Sequence, residues 1–192
     1  MSKLNICIDI DGTITDPYYW LELANSYFNK NVTEEQVTRY YVHEVMGVER
    51  IEYEEFYEKN KFKIHTEEKL RRDVRPILNI LNTMHNIYFV TARDKELEML
   101  THLYLRRYGI EYDGLFVLGS SYKVDKANEL NCNLFIEDNY DNAIQLSENG
   151  TKVVLLDTYY NRKPLNKNIT RVYGWKEIYL IIKELSLQNK IV

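Results

Sequence analysis

The sequence predicts an α/β protein: a parallel sheet with helices between its strands, and a small all-helical segment inserted after the first strand. Three observations carry that expectation. Short, continuously apolar runs recur along the chain, each bounded by polar or turn residues. Stretches with helical spacing of apolar residues separate them, the alternation expected of βαβ units. The stretch from Pro17 to Arg75 breaks the rhythm, holding helical patterns and no convincing strand.

The first run, Asn5–Ile10, is apolar at consecutive positions, as in a strand buried on both faces of a parallel sheet. The insertion then reads as three helices: PYYWLELANSYFNK, TEEQVTRYYVHEV opening on a Thr33…Gln36 capping box, and ERIEYEEFYEKNKF. RPILNILNTM follows, with Pro76 at a plausible first helical position. Ile87–Val90 is the second strand, and DKELEMLTHLYLRRYG a helix that starts at an N-cap Asp94 and ends in arginines and Gly109. A weaker strand, Leu115–Gly119, precedes a helix beginning near Lys123 and Lys126. Leu134–Ile136 is a strand, NYDNAIQLSENG a helix closed by Gly150, and Lys152–Leu156 another strand. Asp157–Thr170 reads as a polar connection containing Pro164. The last helix, WKEIYLIIKELSL, turns Ile178, Ile181, Ile182 and Leu185 to one face. The expected division is an α/β core from residues 1–16 and 76–192, with residues 17–75 as a helical cap over the sheet's carboxyl edge.

Composition narrows the function. Apolar residues make up 45% of the 192-residue chain, enough for a buried core. The net charge of −4 arises from 25 basic and 29 acidic residues mixed along the chain, so neither a nucleic-acid polymer nor a membrane surface has an electrostatic footprint. Cys7 and Cys132 form no CxxC pair, the N-terminus lacks a signal-peptide pattern, and no apolar run approaches the ~20 residues of a membrane span. A reduced, soluble, cytoplasmic protein is expected, and its oligomeric state has no signature in the sequence.

The chemistry is concentrated at the predicted strand ends, where open α/β sheets bind ligands. Asp9 and Asp11 close the first strand; alternation puts both carboxylates on one side, and Gly12 allows a sharp turn and close backbone approach. Two such acids repel unless a proton or a cation lies between them, and a hard cation such as Mg²⁺ takes oxygen ligands of this kind. One acid can serve as nucleophile while its neighbour moves a proton; the plainer alternative is that both cap a turn. Thr91, Ala92 and Arg93 end the second strand, where a hydroxyl and free N–H groups can cradle a phosphate oxygen. Glu137 and Asp138 end another strand, with Asp141 three residues on, and Lys123 or Lys126 could neutralise a phosphoryl group. Each of these also has an ordinary structural role; their joint order along the chain is what argues for a site.

DIDGT, VTAR, Lys123 and IEDNYDNA together resemble the four motifs of the haloacid dehalogenase-like hydrolase superfamily. The resemblance covers about residues 4–15 and 76–156, and the helical insert corresponds to that superfamily's cap. Asp11, the second acid, points to the phosphatase branch, because the dehalogenases lack it. CIDIDGTITDP with YFVTAR and FIEDNYDNA is most similar to the 5′(3′)-deoxyribonucleotidase-like proteins. The resemblance implies a Rossmann-like core, Mg²⁺ dependence and hydrolysis of a small phosphate monoester. A nucleotide is the favoured substrate, a sugar phosphate the alternative, and a binding protein without turnover a third reading. It further implies Asp9 as the nucleophile that becomes an aspartyl-phosphate, and Asp11 as the group that protonates the leaving oxygen and then activates water. Asp9, the Asp11 backbone carbonyl and Asp138 would hold the metal, Thr91 and Ala92 the phosphate, and Lys123 rather than Lys126 would be the site lysine. Glu137 is left as an uncertain supporting group.

Two further expectations concern side chains outside these motifs. Tyr18, Tyr19 and Trp20 lie nearest the first motif and could stack on a base, although aromatic stripes at helical spacing more often pack a core. Arg93 could reach a substrate or pair with a local acid. His43, His65, His85 and His102 lack metal-ligand spacing and read as incidental.

Overall fold

In the computed structural model, which describes residues 2–188, the apolar runs become strands β1 (Asn5–Ile8), β2 (Asn86–Thr91), β3 (Gly114–Val117), β4 (Leu134–Glu137) and β5 (Val153–Leu156). A sixth, β6 (Ile169–Val172), completes one parallel sheet in the order β3-β2-β1-β4-β5-β6. Strand β1 is central: Ile6 is in register with Ile87 of β2 and with Leu134 of β4. From β1 the chain winds outward to β3, returns to β4, and winds outward the other way. The crevice beyond the carboxyl ends of β1 and β4 is therefore the topological switch point, where ligands bind in such sheets.

Both faces of the sheet are covered, which explains the continuous apolar runs. Ile6, Ile8, Phe89, Leu134 and Ile136 pack with Val74, Leu78 and Leu81 of α4 (Val74–Asn82), Tyr104 and Leu105 of α5 (Glu98–Arg107), and Trp175, Ile178 and Ile182 of α8 (Trp175–Gln188). Cys7, Val90, Phe135, Val153 and Leu155 face the other way, against Val124 and Ala127 of α6 (Val124–Glu129) and Ala143 and Leu146 of α7 (Tyr140–Glu148). Each fully buried large aliphatic or aromatic side chain contributes about 1.5–3 kcal/mol. No helix among the described residues is long and apolar enough to cross a membrane.

Strand β6 corrects the expected polar connection over Asp157–Thr170, whose last residues belong to it. It is an edge strand paired only with β5, and it buries Ile169 and Val172 while Thr170 is exposed and Arg171 half-buried. A four-residue edge with alternating burial leaves no apolar run to read. The same stretch contains a 3₁₀ turn, Tyr159–Asn161.

Between β1 and β2 lie α1 (Leu21–Phe28), α2 (Val42–Met46) and α3 (Arg50–Glu67), then α4. Leu21, Ala24, Val37, Met46, Phe56 and Ile64 form a separate apolar cluster over the sheet's carboxyl end, with Tyr18, Tyr19, Trp20 and Tyr53 packed against it. The single helix expected over TEEQVTRYYVHEV is broken. Thr33 caps only a 3₁₀ turn, Glu34–Gln36, and Val37 leaves helical geometry (φ −76°, ψ 67°) with its side chain buried in the cluster. β-Branched Val37 and Thr38 give the backbone little reason to continue the helix. Helix α3 instead runs past the expected end to Glu67. Pro76 is the third residue of α4, still within the first turn, where its missing N–H has no intrahelical partner to lose. The two crossings between this segment and the sheet lie side by side: Asp16 N–H donates to Lys69 O at 2.8 Å, and Arg71 N–H to Ile14 O at 2.9 Å.

Candidate active site

Asp9 continues β1 by one residue, its N–H donating to Ile136 O of β4 at 3.0 Å. The chain then turns tightly: the N–H groups of Thr13, Ile14 and Thr15 all converge on Ile10 O, at 3.2, 3.0 and 3.2 Å. Gly12 sits at φ +76°, a conformation that L side chains rarely adopt, and a Cβ there would lie 2.8 Å from both Asp138 Cγ and the Tyr160 hydroxyl. The turn's carbonyls are held from outside, Gly12 O by Arg71 Nε at 2.7 Å and Thr13 O by Trp175 Nε1 at 3.1 Å.

Two charged groups flank this turn. In the first, Lys123 Nζ lies 2.5 Å from Asp9 Oδ1 and 2.7 Å from Glu137 Oε1, all three residues buried. Asp138 stands beside them, and carboxylate oxygens of Asp9, Glu137 and Asp138 lie within 4.8 Å of one another. Thr13 Oγ1 bridges the acids, donating to Asp138 Oδ1 at 3.0 Å with Asp9 Oδ2 at 3.5 Å. Burial pulls the Lys123 ammonium down, but the carboxylates of Asp9 and Glu137 more than reverse this and keep it charged. Burial pushes the Asp9 carboxyl upward; Lys123 opposes this, and Glu137, Asp138 and Asp11 reinforce it. Asp138 is pushed up to about 7, by burial first and then by the charge of Glu137.

This donor set fits a hard divalent cation. Three buried carboxylates face one ammonium, leaving negative charge that only protons or a cation can balance, and oxygen ligands are what Mg²⁺ takes. The sign of the pH effect follows. Asp138's raised carboxyl contributes stability in full below its ordinary value of 3.8 and loses it as pH rises through about 7. A cation takes the proton's place, so Mg²⁺ is expected to raise Tm more at about pH 8 than at about pH 6. Equal shifts at the two pH values would contradict this reading of the cluster.

Glu137, whose role the sequence left open, has both oxygens committed. Oε1 accepts from Lys123 and from Asn142 Nδ2 at 2.8 Å; Oε2 accepts the N–H groups of Asp138 and Asn139 at 2.8 and 3.0 Å. It orients the lysine and the start of α7, where Asn139 Oδ1 accepts from Asn142 N–H. Asp141 is exposed on the outside of that turn. Of the two lysines, Lys126 points away, its Nζ 2.5 Å from Glu129 and over the Phe116 ring. Thr91 is buried at the end of β2, its Oγ1 accepting the Arg93 N–H at 3.3 Å, and Ala92 follows it, half-buried.

The second group centres on Asp11. Arg93, expected among the phosphate-binding residues, turns instead to acids: its Nε and Nη2 fork Asp11 Oδ2 and Oδ1, both at 2.8 Å, and Nη2 also pairs with Glu68. Its Nη1 donates to Thr101 Oγ1 at 3.2 Å, so every edge of this buried guanidinium is used. A guanidinium taken out of water needs such partners, and Glu68 with Asp11 supplies them. His65, expected to be incidental, sits at the end of α3 with Nδ1 3.4 Å from Asp11 Oδ1 and 3.5 Å from Glu68 Oε2. Its separation from Asp11 in sequence explains why no local spacing announced it. Tyr19 OH donates to Asp11 Oδ1 at 3.0 Å. Burial raises Asp11, but the charges of Arg93 and His65 overcome it and hold the carboxyl well below its usual range.

Between the two groups and the cap opens a cavity of about 190 Å³, with Asp11, Gly12 and Asp138 on its floor and Trp20, Tyr40 and Tyr53 among its walls. The expected stacking candidates divide. Tyr18 OH accepts the Tyr159 N–H at 3.0 Å and does not line the cavity, whereas Tyr19, its hydroxyl on Asp11, and Trp20, its Nε1 on Pro17 O, both do. Tyr40 was not singled out by position, because the loop that carries it approaches the floor only in three dimensions.

Known proteins share both sequence and fold. No family model matches the chain. A nucleotidase of Clostridium acetobutylicum is 58% identical over 192 residues, covering 100% of both chains. The chain belongs to this nucleotidase family. It is thus a phosphoric monoester hydrolase. The fold agrees: a haloacid dehalogenase-like hydrolase from Streptococcus pneumoniae superposes with TM-score 0.68 at 14% identity, over 94% of this chain and 98% of its own. A second such hydrolase, from Xanthomonas campestris, gives 0.67 at 10% identity over 97% of each chain. At these identities the structures speak for the fold alone, the Rossmann-like sheet of haloacid dehalogenase-like hydrolases. Tyr160, Asn142 and His65, which contact the motif acids here, and Glu68, which pairs with Arg93, lie outside the residues expected to form the site.

Proposed function

We propose that the protein is a Mg²⁺-dependent phosphomonoesterase that hydrolyses nucleoside monophosphates through an aspartyl-phosphate on Asp9. The observation that carries this reading is the buried Asp9–Lys123–Glu137–Asp138 group, whose Asp138 lies with Asp11 and Gly12 on the floor of an aromatic-walled cavity.

In the first step an Asp9 oxygen attacks phosphorus, the ester P–O bond breaks, and the alcohol departs with a proton from Asp11. In the second, water gives a proton to Asp11 and attacks phosphorus, releasing phosphate and restoring Asp9. Arg93 and His65 favour the ionised Asp11 needed for the second step; a phosphate arriving on the cavity floor brings negative charge that raises its proton affinity for the first. Lys123 neutralises the attacking carboxylate and the phosphoryl oxygens, while Thr91 and the Ala92 N–H fix those oxygens. Asp9, the Asp11 carbonyl and Asp138 would hold Mg²⁺, which would supply further positive charge to the phosphoryl group.

Trp20, Tyr40 and Tyr53 support a planar leaving group, because stacking a base on an aromatic ring is worth about 1–3 kcal/mol. A second reading has its own support. At about 190 Å³ the cavity is smaller than the roughly 300–1,000 Å³ of common ligand pockets, which suits a smaller phosphate ester if the cap stays where it is. A panel of nucleoside monophosphates and sugar phosphates, assayed with Mg²⁺, decides between them. The nucleotide reading expects the best nucleotide to exceed the best sugar phosphate by about tenfold or more in kcat/KM. The reverse ranking selects the smaller ester.

A further inference from the structure

Asp138 is gripped at both oxygens, and the two grips differ. Oδ1 accepts from Thr13, whose hydroxyl also lies near Asp9, so this oxygen faces the gap between the acids. Oδ2 lies where a side chain on Gly12 would have to go, and accepts a hydrogen bond from the Tyr160 hydroxyl. Tyr160 comes from the 3₁₀ turn after β5, and that turn is anchored to the same strand ends. Asn161 is fully buried; its Nδ2 donates to the backbone carbonyls of Asp138 and Leu156, both at 2.7 Å, and its Oδ1 accepts from Arg171 Nη1 at 2.5 Å. From the cap side, Tyr18 and Tyr40 meet the Tyr160 ring edge-on, with centroids 6.3 and 5.8 Å away. The phenol is therefore fixed on three sides and has one polar partner.

On the reading that Asp9 and Asp138 hold a divalent cation, we propose that Tyr160 is a positioning residue for that cation. Its hydroxyl ties down the outer oxygen of Asp138 so that Oδ1 is presented to the gap beside Asp9. A ligating carboxylate whose free oxygen is hydrogen-bonded loses less freedom when the ion arrives, and removing such a partner typically costs about 10–100-fold in metal affinity. Tyr160→Phe keeps the ring and its contacts with Tyr18 and Tyr40 and deletes only the donor. The cation is reached without substrate, so binding is measured directly: free Mn²⁺ is followed by electron paramagnetic resonance during titration of wild type, Tyr160→Phe and Asp138→Asn.

Wild type is expected to bind, Asp138→Asn to lose binding, and Tyr160→Phe to weaken it about 10–100-fold at unchanged Tm. In turnover, Tyr160→Phe should need more Mg²⁺ for half-maximal rate and recover most of the wild-type kcat at saturation, a split that a merely structural role would not produce. Mn²⁺ binding by Tyr160→Phe as tight as wild type, or tighter, overturns the role given to Tyr160 while leaving the cation site standing. No binding by wild type, or undiminished binding by Asp138→Asn, overturns the cation site and the role of Tyr160 with it.

Discussion

Asp9→Asn is expected to abolish turnover, lowering kcat by something on the order of 10⁴ to 10⁶, the range seen when a catalytic nucleophile is removed. The substitution keeps the shape of the side chain and its place after β1, where the backbone is bonded to Ile136. Lys123 loses one partner and keeps Glu137 at 2.7 Å, so the buried ammonium is not orphaned. The fold should accordingly survive, and circular dichroism with thermal unfolding must accompany the assay. An amide cannot attack phosphorus as a carboxylate does, and it withdraws one of the two carboxylates proposed to hold the cation. Residual activity within tenfold of wild type would move the nucleophile elsewhere, and an inert wild type would favour a binding protein that keeps the fold.

The second large effect is on stability. Arg93→Met is expected to cost about 3–5 kcal/mol in urea unfolding, the usual consequence of removing one partner of a buried ion pair. Asp11, one-third exposed, can recover some hydration, but Glu68 is wholly buried and would be left with its charge uncompensated. Burial already pushes Glu68 upward against the pull of Arg93 and His65, and losing the arginine removes the larger of those two pulls. Adding Glu68→Gln should therefore restore part of the loss, since the double variant buries no lone charge. Glu68 follows α3 directly, and the pair joins this helix to the loop after β2. Lys61 of α3 makes a parallel link, with Glu96 as its partner and Asp94 at 3.8 Å. A loss below about 1 kcal/mol for Arg93→Met would mean that the guanidinium is solvated, contrary to the burial observed.

The sheet was legible in the sequence because strands covered on both faces need apolar residues at every position, as in Ile6–Ile8 and Val153–Leu156. Strand β6 was not, because an edge strand needs apolar residues only where Ile169 and Val172 face inward. The cap's helices were legible where caps and periodicity agreed, and misread between Gln36 and Val42, where burial of Val37 outweighed a good capping box. The strand-end acids and Thr91 stood out because polar groups cluster there at the ends of apolar runs, whereas Lys123, at the start of α6, was preferred to Lys126 by the resemblance alone. Glu68, His65 and Tyr160 stood out in no local pattern. Each acts on a motif residue far away in the chain, and only the crossing of α3 and the turn after β5 over the switch point brings them there. Arg93 was left between a substrate and a local acid, and the buried acid that claims it, Glu68, carried no signal of its own.

Acid-quenched single turnover with a nucleoside monophosphate and Mg²⁺, followed by peptide mass analysis, tests most directly whether phosphorus passes through the first strand's acid. The expected result is a transient peptide spanning Asp9 that carries one additional phosphoryl group and disappears as free phosphate accumulates. Product formed in the same turnover with no phosphorylated peptide at any quench time, or with the group on another residue, would contradict it.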